Sequence, residues 1–425
     1  MVLEWSVSKL SRRVALAVGA LVGCGLLVGV VLSGFVIGTL ADDRLVVNRE
    51  TLQIPVAYFP GSARLNARLA STELAESDRD LASAEFLATR AVNLSPYDYR
   101  FKLTLASIEE AKGDRPAAER ALEAARRLAP NYWDVSYRLG NLRIREGKVS
   151  EALNDLRMAA AGNPELLPGS LDVVWRASGG DVGRVQLLAG SDPKAKLALA
   201  QFLLKQSRPS EAASVYSSVD RIDRIASVAE SSAILNALIT AGSYEVARSL
   251  WLELLGGENQ QALVWNGGFE SDISKSLPQF DWSLNRSEYA RVALDSAVAH
   301  TGSRSLRLEF TGRDTTVLDN EIKQVVLVRP GARYALECYI KTKDLESPEG
   351  PRLVVTDSTS KWLAASEPLA QGSAEWRRLA LEFETPQSAS GRSAILVSIK
   401  RKPKFSYDEP TRGVVWFDDF VMSER

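Results

Sequence analysis

Three prolines set the frame of this chain. Pro96, Pro130 and Pro164 lie 34 residues apart, and each closes an apolar-rich stretch: AEFLATRAVNLSP, AERALEAARRLAP and ALNDLRMAAAGNP. Small residues recur in the same phase. Ala84, Ala118 and Ala152 precede each proline by twelve residues, and Ala91, Ala125 and Ala159 by five. Gly113-Asp114 and Gly147-Lys148 fall between the two halves of a period, and Leu139-Gly140 sits in a first half. A fixed period of this length predicts stacked helix pairs, each needing its neighbours to cover its apolar face. Alanine at facing positions lets antiparallel helices approach closely, and proline stops the second helix at a fixed length.

Period, turn glycines, paired alanines and closing proline together resemble the tetratricopeptide repeat. Its units read as 65–98, 99–132 and 133–166, the first an atypical cap because it lacks large apolar residues early in its first helix. After Pro164 the phase weakens. Pro168, Gly169 and Gly179-Gly180-Asp181 interrupt it, and 169–190 reads as a shortened helix pair. Two further units follow at about 193–224 and 226–257, with Ala212 and Ala247 at the close-packing position, Gly242 at a turn and Pro193 opening a helix after Asp192. That makes five or six helix pairs. The resemblance implies a concave face lined by Arg100, Leu103, Ser107, Glu110 and Ala111 in one unit, and by Asp134, Tyr137, Asn141, Ile144 and Arg145 in the next. Arg100, Tyr137, Asn141 and Arg145 are the candidates for a groove holding a protein partner. The plainer alternative is ordinary solvated helix surface.

Ahead of the array, Val14 to Leu40 is a run of 27 residues without a charge. About 20 apolar residues cross the hydrocarbon core of a bilayer, and the core of a cleaved signal peptide is shorter than this run. Lys9, Arg12 and Arg13 precede it, and Asp42 and Asp43 follow. The basic flank stays in the cytoplasm, which predicts a single-pass anchor in the bacterial inner membrane with the bulk of the chain periplasmic or otherwise extracytoplasmic. Leu21-Val22-Gly23-Cys24 resembles a lipobox, so a lipoprotein acylated at Cys24 is the alternative, although the apolar run continues for 16 residues beyond that cysteine. Gly19/Gly23, Gly25/Gly29 and Gly34/Gly38 have the spacing that lets membrane helices approach each other.

At about residue 258 the pattern changes. Gly256-Gly257 ends the last helix, and short runs of period-two alternation follow, bounded by Gly, Pro, Asp and Ser. Ser305–Phe310, Tyr334–Ile340, Arg352–Val355, Arg377–Phe383, Ala394–Ile399 and Val414–Met422 are examples. Eight to ten such strands predict one β-sandwich. Cys338 alternates in phase with Leu336 and Ile340 and reads as a buried thiol.

In order and spacing, LVWNGGFE (263–270), HTGSRSLRL (300–308), VRPGARY (328–334), Trp376 before FETP (383–386), and VWFDDF (415–420) resemble the jelly-roll carbohydrate-binding modules. The likeness covers nearly all of 262–425 and speaks for fold more than for ligand. It implies a structural Ca2+ held by Glu270 with Asp418 or Asp419, against the alternative that these carboxylates only accept hydrogen bonds. It also implies that Trp376 and Trp416 are framework residues. A sugar needs exposed aromatic faces and planar polar neighbours, for which Trp282, Tyr289, Trp362 and Tyr407, with Gln324 and Arg352, are the candidates. His300 reads as a surface or turn residue.

Composition now limits the chemistry. With 52 Lys and Arg against 53 Asp and Glu, the chain lacks the positive excess of a nucleic-acid binder. One histidine and two cysteines exclude a zinc site of four Cys or of paired His and Cys, and leave His300 as the only histidine base for a catalytic triad. The expected parts are a cytoplasmic tail (1–13), a transmembrane helix (14–40), a linker (41–62), helical repeats (63–257) and the sandwich (258–425). The expectation is a non-catalytic, membrane-anchored envelope adaptor. Its repeats hold a protein and its sandwich a glycan, in polysaccharide assembly or export. The alternative is a scaffold subunit that binds no glycan.

Overall fold

The computed structural model describes residues 9–40, 48–256, 262–313, 315–387, 393–405 and 409–425. The chain forms an N-terminal apolar helix, a helical region and a C-terminal antiparallel sandwich of two sheets. It divides into two compact units, Met1–Gly190 and Ser191–Arg425.

Helix α1 (Lys9–Leu40) contains a 20-residue stretch, Leu16–Phe35, of mean hydropathy 2.4, none of it buried. By length and composition it is able to cross a membrane. Cys24 lies in mid-helix with an exposed side chain.

The segment expected as part of a linker folds as helix α2 (Arg49–Tyr58) despite Pro55 in its interior. The reason is burial. Asn48 caps the helix by accepting the Thr51 N–H, and Leu52 and Val56, one turn apart, pack with Leu65 and Leu69 of the next helix. The gain from burying two branched side chains outweighs the one helical bond that proline removes.

Paired helices follow: α3 (Ala63–Ala75) with α4 (Leu81–Leu94), α5 (Tyr99–Lys112) with α6 (Arg115–Leu128), and α7 (Trp133–Arg145) with α8 (Val149–Gly162). Pro96, Pro130 and Pro164 each stand just past the cap residue of a second helix, Ser95, Ala129 and Asn163. All six in-phase alanines have no exposed surface. Arg143, on α7, ties the second and third pairs together. It is buried and bonds Glu119 and Glu123 of α6 at 2.9 Å each and Asp155 of α8 at 2.7 Å. Burial nonetheless pushes the Asp155 carboxyl above its ordinary range. A short 3-10 turn, Pro164–Leu166, leads to α9 (Leu167–Ala177) and α10 (Val182–Ala189).

The second unit begins with α11 (Pro193–Lys205) and α12 (Pro209–Ser217), then the one-turn α13 (Arg221–Ala226), and α14 (Val228–Thr240) with α15 (Tyr244–Leu255). Ten strands follow among the described residues. One sheet has the order β1 (Ser283–Leu284), β4 (Ile322–Val328), β9 (Ser393–Lys400), β6 (Arg352–Asp357), β7 (Trp362–Ala365). The other has the order β2 (Ala290–Asp295), β3 (Ser305–Thr311), β10 (Arg412–Glu424), β5 (Arg333–Glu346), β8 (Gly372–Glu384). Alternate residues of both sheets fill one core, including Leu336, Cys338 and Ile340 from β5 and Val397 and Ile399 from β9. Burial pushes the Cys338 thiol well up, which leaves it inert as a nucleophile.

The sandwich and the last helix pair share polar and aromatic contacts. Trp251 of α15 has no exposed surface, donates its indole N–H to the Leu277 carbonyl at 2.8 Å, and lies edge-on to Trp265 and Phe280. The Gln279 amide donates to Ser232 and Asn236 of α14.

Candidate functional site

Register builds a cavity on the sandwich. Arg352 of β6 lies directly opposite Lys400 of β9. Leu353 and Ile399, their sequence neighbours, point into the core, so Arg352 and Lys400 stand on the outer face of the sheet. Trp362 of β7 pairs with Thr356, two strands from Lys400. Past the end of β9 the chain alternates. Arg401 turns inward, with no exposed surface, and donates to the carbonyls of Thr316 (2.5 Å) and Glu349 (3.0 Å). Lys402 and Lys404 turn outward. The result is an open cavity of about 400 Å³ lined by Arg352, Trp362, Lys400, Lys402 and Lys404, with Glu349 and Pro403.

Its electrostatics are lopsided. Glu349 pairs with Arg352. Asp319 accepts from Lys400 at 2.7 Å and lies 3.9 Å from Lys402. The Lys400 hydrogen bond holds the Asp319 carboxyl below its ordinary range. Among the described residues, Arg352, Lys400 and Lys402 thus share two carboxylates. Trp362 is 42% exposed, and the Lys402 ammonium lies 5.9 Å from the centre of its indole.

Of the residues predicted to contact sugar, the structure brings Arg352 and Trp362 together here. Trp282 and Gln324 are corrected to framework. Trp282 is wholly buried against Phe269 and Phe420, and its indole N–H donates to the Asn266 carbonyl. Gln324 is 1% exposed and spends its amide on the backbone N–H and carbonyl of Trp265. Tyr289 is half-buried just before β2, in the other sheet, and Tyr407 lies outside the described residues. The three lysines were not singled out from the sequence. The run KRKPKF looks like a solvated loop, and the signal available was its position directly after a strand, with an aromatic at its end.

A second aromatic group lies on the outer face of the other sheet. His300 stacks on Tyr339 with ring centres 3.7 Å apart, and Trp376 stands edge-on at 5.5 Å. Trp376, expected in the core, is half-buried on this face. Its strand neighbours Leu379 and Leu381 belong to the core, so parity turns 376 outward. Trp416 is 6% exposed and donates to Asp295 at 2.9 Å, a framework role. His300, expected as a plain turn residue, bonds Asp419 through Nδ1 at 2.6 Å.

The carboxylates expected to hold calcium do lie near one another. Gly267 makes this possible: its carbonyl accepts the Phe420 N–H, and an added Cβ would overlap the Phe420 carbonyl oxygen. That close approach joins the start of the domain to its last strand. Yet the donor set suits anions already satisfied by protein. Asp418 accepts the backbone N–H groups of His300, Thr301 and Asp419, and burial pushes its carboxyl up to about 6. Asp419 meets His300 and the Thr301 hydroxyl. Glu270 accepts two backbone N–H groups and the Ser303 hydroxyl, which hold its carboxyl below the ordinary range. Among the described residues no three His, Cys, Asp or Glu form a group able to hold a metal ion. Glu270 and Asp418 are thus already held by backbone N–H groups of 300–304.

In the repeats, Arg100 lines a cavity of about 220 Å³ with Arg64, Arg68 and Phe101, and pairs with Asp98 at 2.5 Å. Arg145 pairs with Glu110 of the preceding helix pair, and Arg138 donates to Ser107 at 3.0 Å. The Asn141 amide donates to the Tyr137 carbonyl in its own helix. Tyr137 is half-buried.

No known family profile and no curated protein matches this chain. Among solved structures, the carbohydrate-binding module CBM4 is 16% identical with a TM-score of 0.28, covering 38% of this chain and 99% of that one. A family 16 carbohydrate-binding module is also 16% identical with a TM-score of 0.26, covering 38% and 99%. The MamA protein is 18% identical with a TM-score of 0.31, covering 37% and 83%. The functional reading rests on the side chains, not on these likenesses.

Proposed function

We propose that this chain is a non-catalytic adaptor, anchored by α1, whose sandwich binds a glycan and whose repeats, of tetratricopeptide type, hold a protein partner in polysaccharide assembly or export. The observation that carries it is the outer-face cavity, which an exposed indole and a guanidinium both line. That pairing is what sugar recognition uses: a flat apolar face for the C–H side of a pyranose and fixed donors for its oxygens. In this reading the chain does no catalysis. Histidine is the most frequent general base, and the single imidazole is held between Tyr339, Trp376 and Asp419. In the proposed topology the basic N-terminal flank is cytoplasmic, and the helices after α1 and the sandwich are extracytoplasmic.

The test is retention of the full chain, in detergent micelles, on a panel of immobilised polysaccharides. The wild type should be retained by at least one, and Trp362→Ala should reduce retention about tenfold or more, the loss expected for removing a stacking platform. Absence of retention across neutral and charged polysaccharides overturns the glycan half. A second reading, a scaffold with no glycan ligand, draws on Trp251 and Gln279, which fasten the sandwich to the last helix pair as a cap on a stack of helices would be fastened.

A further inference from the structure

Resting on the glycan reading, we infer that the cavity between β6, β7 and the end of β9 selects an acidic polysaccharide, one whose sugar rings carry carboxylates. A neutral sugar needs donors and acceptors in balance. This cavity instead places Arg352 and Lys400 side by side on adjacent strands, an arrangement that is unfavourable unless an anion lies nearby. Among the described residues, Glu349 pairs with Arg352, and Asp319 pairs with Lys400 and lies 3.9 Å from Lys402, so two carboxylates serve these three cations. Lys402 is half exposed at its rim, so it keeps N–H donors for a ligand. Buried Arg401 fixes the backbone from which Lys400 and Lys402 project, so both lysines are placed on the outer face before any ligand arrives.

The aromatic narrows the class further. Lys402 stands 5.9 Å from the centre of the Trp362 ring. A uronate carries an apolar C–H face and a carboxylate on the same ring. Resting that face on the indole brings the carboxylate toward Lys402, 5.9 Å from the ring centre, where a charge-assisted hydrogen bond forms. A single-stranded nucleic acid also combines stacking with negative charge, but it needs a basic groove tracking many phosphates, and this chain carries 52 basic against 53 acidic residues.

Oligogalacturonate, its neutral methyl ester and polyuridylate, each titrated against the full chain in detergent micelles, separate the cases. The acidic oligomer should bind about tenfold or more tighter than its methyl ester and lose affinity as salt rises. Lys402→Gln should weaken the acidic oligomer about tenfold and leave the ester unchanged. Equal binding of oligomer and ester, with no effect of Lys402→Gln, overturns the acidic preference while the glycan reading stands. Failure of both sugars to bind overturns the acidic preference, while the glycan reading falls only if the polysaccharide panel is silent too, and tighter binding of polyuridylate overturns the choice of ligand class. Trp362→Ala is the second variant, and it should weaken the acidic oligomer and its ester alike.

Discussion

Single residues set how closely this chain packs, and Gly140 is the sharpest case. A Cβ added there would lie 2.7 Å from Leu156 Cγ and 3.3 Å from the Leu156 backbone nitrogen. The nearer atom is the branch point of a fully buried side chain, and behind it is backbone, so neither has a free end to swing away. Gly140→Ala should therefore cost about 1–3 kcal/mol through overpacking, although alanine is the better helix former. Urea unfolding followed by circular dichroism checks it, with a lower midpoint and an unchanged slope. An unchanged midpoint would mean that α7 and α8 can part at no cost. This position was readable in the sequence, because Leu139-Gly140 falls in the first half of a 34-residue period, where close helix packing is expected. Gln324 was not. A glutamine in an alternating strand reads equally well as a surface ligand or as a clamp on distant backbone, and only the fold brings Trp265 to it.

Elements depend on what fastens their ends, and in the sandwich one loop does this for several neighbours. Asp281 is 3% exposed and accepts the N–H groups of Ser274 (3.0 Å) and Trp282 (2.7 Å). Those bonds shape the turn that presents the Leu277 carbonyl to Trp251 and the Gln279 amide to α14. Burial raises the Asp281 carboxyl above its ordinary range, and the two N–H bonds only partly offset this. A carboxyl raised on folding binds its proton more tightly in the native state than in the unfolded chain. Its contribution to stability is then fully present at low pH and is lost as pH rises from the ordinary aspartate range through the raised value. Asp281→Asn cannot titrate. The stability of the wild type relative to this variant should fall as pH rises through that window and level off above it, measured as unfolding midpoints along a pH series. A difference that grows with pH would mean that the hydrogen bonds outweigh burial. The elements themselves were legible, since helix period and strand alternation are local patterns. The lysines of the cavity were not, because their meaning lies in the cross-strand pairing of Lys400 with Arg352, which no local pattern contains.

For the whole molecule, sequence and structure divide the chain at different places. The composition changes at about residue 258, where helical period gives way to alternation. The compact unit begins at Ser191 and carries α11 to α15 together with the sandwich. The difference follows from long-range contacts. A chain cut at 258 loses Trp251, exposes faces of Trp265 and Phe280, leaves the Leu277 carbonyl without its indole donor, and strips Gln279 of Ser232 and Asn236. Removing a fully buried tryptophan alone costs about 3–5 kcal/mol, a large share of the stability of a typical domain. The fragment Ser191–Arg425 keeps all of these contacts. It should unfold in one cooperative thermal transition, whereas a fragment beginning at 258 should melt at a clearly lower temperature and bind a dye for exposed apolar surface. Calorimetry of the two fragments decides the matter. Equal melting temperatures would show that the last helix pair rests on the sandwich without supporting it, and would remove the structural support for the scaffold reading.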